Sequence, residues 1–119
     1  MTGEANSADA TTVIDRYVAL ATKHGEATEN GNSVDANALC GELNEVLSQL
    51  LRQEQRDALV PLLTHPNLAV RAKAAFHTYD LNPQRSAAVL EEVSKEPGLV
   101  GFSAGMTLKQ LKSGGLTLP

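Results

Sequence analysis

Apolar positions in this chain recur at three- and four-residue intervals, the spacing at which side chains share one face of an α-helix. The longest such stripe is Leu39, Leu43, Val46, Leu47, Leu50 and Leu51. An earlier one, Val13, Ile14, Tyr17, Val18 and Ala21, has the same period. No alternating apolar–polar run is long enough for a sheet strand. The pattern predicts an all-α protein of six helices.

Punctuation between the stripes sets the expected boundaries. Thr11 or Thr12 caps a first helix that continues to about Glu29 and stops at Asn30-Gly31. Asn32 or Ser33 starts the second, with Asp35 favourably placed against the helix dipole. A third covers Gln53 to Leu63 and is kinked at Pro61, because Leu59, Leu62 and Leu63 keep the helical period around it. Asn67 caps a fourth helix from Leu68 to about Asp80, whose inner face is Val70, Ala74 and Thr78, with Ala75 and Leu81 at its edges. Pro83 opens the fifth, which buries Val89, Leu90 and Val93, pairs Glu91 with Lys95 outside, and ends at Pro97-Gly98. The sixth starts near Ser103, carries Met106, Leu108 and Leu111, and stops at Ser113-Gly114-Gly115. Connections this short make neighbours antiparallel, giving three hairpins. Residues 1–10 are expected to form a flexible N-terminal segment, 11–115 a single helical domain and 116–119 a C-terminal tail.

The run from Leu59 to Arg71, with Pro61 inside it, Asn67 at the turn and Val70-Arg71 after it, followed by Ala74-Ala75, resembles a HEAT-type helical repeat. The resemblance covers Leu59 to Leu81 and implies a short HEAT-like α-α superhelix, with the flanking hairpins as atypical end units. In it Arg71 reaches the carbonyls of the turn. The first long helix, the central pair and the segment Gly101 to Leu108 together resemble a family of small uncharacterised bacterial helical proteins. That pattern usually has acidic residues where this chain has Ser103 and Gly105, and an aromatic at Leu111. Some relatives are similar to toxin-immunity proteins, which implies a protein partner.

Composition narrows the functional classes. At 119 residues the chain suits one domain. Ten Lys and Arg against fourteen Asp and Glu leave a charge of −4, which argues against nucleic-acid binding. The single cysteine, Cys40, has no internal partner and points to a reducing compartment. No apolar run nears the ~20 residues of a membrane span, and Met1 to Ala10 lacks a signal peptide's apolar stretch, so a cytoplasmic location is expected.

Candidate chemistry is sparse. His24, His65 and His77 fall in separate segments, without the i, i+4 spacing of a helical zinc site, and read as capping or half-exposed residues. Cys40 sits among Leu39, Gly41 and Glu42, which fits packing better than nucleophilic chemistry. No phosphate-binding glycine loop and no Ser/His/acid set is apparent, so no catalytic, cofactor or metal residues are assigned. Partner contact is instead expected on the fourth helix through Lys73, Phe76, His77 and Asp80, and on the second through Glu42 and Glu45. Phe76 alternatively packs against Leu99 or Phe102. The reading that results is a non-catalytic protein-binding module, monomeric or weakly dimeric, in sharper form an immunity protein covering a basic toxin domain. Alternatives are a structural, self-associating module, or an enzyme with a carboxylate and histidine groove.

Overall fold

A computed structural model of the protein describes residues 10–52 and 54–114. Five α-helices and one 3-10 helix follow in the order α1 (Ala10–Glu29), α2 (Ser33–Arg52), the 3-10 helix (Arg56–Thr64), α3 (Leu68–His77), α4 (Pro83–Ser94) and α5 (Leu99–Ser113). No strand occurs among the described residues, and the all-α expectation holds. The expected flexible start, apart from Ala10, and the expected tail at 116–119 lie outside the described residues. Since α1 begins at Ala10, Thr11 and Thr12 lie inside the helix rather than ahead of it.

Each helix contributes one stripe to a common core. Val13, Tyr17 and Ala21 of α1 meet Leu43, Val46, Leu47 and Leu50 of α2, while Leu59, Leu62 and Leu63 close that core from the 3-10 helix. Val70, Ala74 and Ala75 of α3 join it to Val89, Leu90 and Val93 of α4 and to Ala104, Leu108 and Leu111 of α5. The turn after α1 folds α2 back along it: Gly31 N–H donates to the Thr28 carbonyl (3.1 Å) and Asn32 N–H to that of Ala27 (2.8 Å). Asn32 then caps α2, accepting from Asp35 N–H at 3.1 Å. Asn67 caps α3 as expected, its Oδ1 accepting from the Ala69 and Val70 amides at 2.9 and 3.2 Å. Arg71 reaches back to the Leu63 carbonyl, Nε to O 3.2 Å, and its guanidinium also pairs with Glu92. Glu91 and Lys95 form no ion pair among the described residues; Lys95 closes α4 instead.

Three boundaries differ from expectation, each for a physical reason. The third segment is a 3-10 helix from Arg56 rather than a kinked α-helix from Gln53. An α-helical winding would press the Pro61 ring against the Asp57 carbonyl; the tighter i→i+3 winding turns that carbonyl away while Leu59, Leu62 and Leu63 stay buried. Helix α3 ends at His77, not Asp80. The Thr78 hydroxyl donates to the Ala74 carbonyl at 2.7 Å and meets Ser86 Oγ at 3.3 Å, which fixes the corner into α4 and leaves Leu81 exposed. Ala75, expected at an edge, is fully buried.

The third difference is long-range. Helix α5 starts at Leu99, four residues before Ser103, because its first amides are capped by a side chain from α1. The Glu29 carboxylate accepts from Leu99 N–H at 2.8 Å and from Val100 N–H at 3.0 Å. A carboxylate there also answers the positive end of the helix dipole. Gly98 makes room, since a Cβ would lie 2.8 Å from both Glu29 carboxylate oxygens, and its φ of +103° suits glycine. The buried face of α5 is Gly101, Ala104, Leu108 and Leu111, and Met106, expected beside Leu108 and Leu111, points outward. Replacing Glu29 by Ala is expected to destabilise the fold by about 1–2 kcal/mol. Urea unfolding measures it, and an unchanged midpoint would contradict the capping role.

Candidate functional site

Helices α1, α3 and α5 converge on a cleft of about 110 Å³. It exists because two small residues let α1 and α3 approach closely: a side chain at Gly25 would overlap the Ala69 methyl. Around this contact α1 presents His24 and Thr28, one turn apart, and α5 presents Ser103 and Thr107, also one turn apart. Lys73 and Phe76 enter from α3, and Leu90 of α4 lies beneath. The walls between the polar groups are short aliphatic side chains, Ala72, Val100 and Ala104 among them.

The charge in this cleft is cationic. Lys73 is half-buried, and no carboxylate lies within ion-pair distance of it among the described residues. Burial lowers the pKa of its ammonium, with the nearby Cys40 pulling the other way. His24 is pushed down to about 4, first by burial and then by the Lys73 charge, so at neutral pH its imidazole is uncharged. No carboxylate lines the cleft. The arrangement therefore offers one cation, three hydroxyls and a neutral imidazole over an apolar floor.

The side chains expected to bind a partner end up in four different settings. Lys73 and Phe76 line the cleft. His77, expected to face outward or toward the following helices, is instead 3% exposed and points back at α1, where Tyr17 Oη lies 2.8 Å from its Nδ1. With neutral His77 protonated on Nε2, Tyr17 O–H donates a hydrogen bond to Nδ1, which pairs these two buried polar atoms. Burial, followed by Lys73 and Arg56, lowers the His77 pKa to about 3, and burial raises that of Tyr17. Asp80 is exposed and bound to Arg56 at 2.9 Å. Glu42 and Glu45 stay on the open face of α2, Glu42 3.9 Å from Arg16. His65 is a capping residue as expected, accepting at Nδ1 from Asn67 N–H at 3.0 Å. Phe76 shares the cleft lining with Val100 and Ala104, whereas Leu99 and Phe102 are exposed and lie outside that lining.

Leu99, Phe102 and Met106 form a second feature. At i, i+3 and i+7 they share the outer face of α5 and are 47%, 67% and 44% exposed. Beside this ridge lie Ser103 and Thr107, so the two surfaces of α5 are adjacent.

Residues 11–112 match the family described as "Domain of unknown function (DUF2019)". The chain belongs to that family. The DUF2019 match runs from the first turns of α1 into the last turn of α5 and so spans every element of the cleft. A crystal structure of the protein RPA1889 from Rhodopseudomonas palustris CGA009 is similar in fold, with a TM-score of 0.77 and 24% identity over 92% of this chain and 93% of that one. None of the curated proteins matches. Among the described residues no helix is long and apolar enough to cross a membrane.

His24 is half-exposed, as the sequence reading expects, but that reading gives Thr28, Ser103 and Thr107 no place in a site. A signal existed in the small residues Gly25, Ala69 and Ala104, one on each helix of the cleft, which mark where backbones come close. The pH dependence of stability follows from His77 and, in the same direction, from half-exposed His24. The folded value of His77 near 3 lies below the ordinary 6.5, so the unfolded chain binds the extra proton between those limits. Stability is complete above about pH 6.5 and falls as the pH drops toward 3, by at most about 1.4 kcal/mol per pH unit from this residue. Urea midpoints between pH 7 and 5 are expected to show that slope in the wild type and a flatter one in His77→Phe. Tyr17→Phe, which leaves Nδ1 unpaired, is expected to cost about 1–3 kcal/mol at pH 7.

Proposed function

We propose that this domain is a non-catalytic protein-binding module that docks its partner on the outer face of α5. The observation supporting it is the ridge of Leu99, Phe102 and Met106, three large apolar side chains kept in solvent on one helix face. An isolated exposed residue is ordinary, but a helix that buries one stripe and exposes another has a second surface to cover. The described chain exposes about 6,500 Å², and a standard footprint of roughly 800 Å² is a small part of it.

The sharper form of this reading is an immunity protein whose partner is a basic toxin domain. The net charge of −4 would speed encounter with a cationic partner, while the ridge supplies the short-range contact. The sequence resemblance of Leu59 to Leu81 to a HEAT-type repeat supports such a role, Asn67 capping α3 and Arg71 reaching the Leu63 carbonyl there. Co-expression with the product of the adjacent gene, followed by size exclusion, is expected to yield a stable complex. Phe102→Asp is expected to weaken it roughly tenfold or more, with the unfolding midpoint close to wild type. Failure of the adjacent product to bind removes the immunity form. Sedimentation showing that the chain pairs with itself through the same ridge would favour the structural reading instead.

A further inference from the structure

The cleft holds a feature that protein docking on α5 does not use. Lys73 is the only lysine or arginine among its lining residues, it lies half-buried at the junction of three helices, and none of the chain's carboxylates reaches it among the described residues. A cation withdrawn from water without a counter-charge is unfavourable unless something else supplies that charge. Glu29, next to Thr28 in sequence, is engaged by the α5 amides, and Glu26, two residues from His24, is exposed and outside the cleft lining. The chain thus places a cation in a cleft and occupies its adjacent acid elsewhere.

We propose that the cleft binds a small organic monocarboxylate with a compact aliphatic tail. The carboxylate would pair with Lys73 and take hydrogen bonds from the hydroxyls of Thr28, Ser103 and Thr107. The tail would lie against Phe76, Val100 and Ala104. The volume sets the scale: a site of about 110 Å³ is smaller than the roughly 150 Å³ cavity that holds benzene, and several times the ~30 Å³ share of one water. A chain of three or four carbons fits that space. The apolar walls disfavour strongly hydrated dianions such as phosphate, and one lysine supplies a single positive charge. Neutral His24 adds a polar rim without a second charge.

Butyrate is the probe, titrated into the full chain and followed by amide NMR. Saturable shifts are expected at Gly25, Ala69, Ser103 and Thr107, with half-saturation near or below about 1 mM. Butanol of matching shape and sodium phosphate at matched ionic strength are expected to leave these amides in place. Lys73→Met, which keeps the stem and removes the charge, is expected to weaken butyrate at least tenfold while raising the thermal midpoint of the unliganded protein. Ala104→Leu, which fills the cleft and leaves Lys73 intact, is expected to abolish the shifts. Phe102→Asp is expected to leave them unchanged, so this site and the α5 ridge stand or fall separately. Butanol acting like butyrate, Lys73→Met binding as well as wild type, or no saturable shift at 20-fold above about 1 mM would each overturn the proposal.

Discussion

Everything in this fold hangs on the seam along one side of α1. Tyr17 meets buried His77 at one end, Gly25 touches Ala69 in the middle, and Glu29 holds the start of α5 at the other. These positions sweep about 120° around α1 over a run of about 18 Å of helix. Because α2 packs on the same helix from another side, α1 is the element that joins the first hairpin to everything after it. The seam is polar at both ends and nearly bare of side chains between, so it fixes position through hydrogen bonds and backbone proximity rather than through large apolar side chains.

How much of this was readable from the sequence depends on how local each cause was. The α2 stripe, the Asn67 cap, the Asn30-Gly31 stop and the Arg71 clasp are set by residues within a few positions of each other, and each is found where expected. Pro61 predicts a kink from its local chemistry, whereas the whole segment winds as a 3-10 helix. The start of α5 was missed because its cap comes from Glu29, seventy positions away. The inward turn of His77 is not legible in the sequence, because periodicity describes faces and says nothing about which partner can satisfy a buried imidazole. The cleft was hidden for a related reason, since a lysine on a helix reads as a solvated charge until the neighbouring helices are in place.

The two surfaces of α5 illustrate how one short helix carries different demands. Its inner stripe uses glycine, alanine and leucine to fit a crowded junction, while its outer stripe keeps bulky side chains in water. The inner stripe serves the core, whereas the outer one adds nothing to folding. Likewise, Lys73 is tolerated on a face where methionine or leucine would be more favourable to stability. Local departures from what folding alone would select are where a small helical domain is most informative about its use.

The Glu29 clasp also bears on the order in which the chain can assemble. A helix whose first amides wait for a distant carboxylate gains that support only after α1 is in place and the intervening hairpin has docked. During synthesis α5 emerges after the other described helices, so its ordering follows theirs. It is also the segment best placed to fray as a unit when the clasp opens, carrying the outer ridge and one wall of the cleft with it.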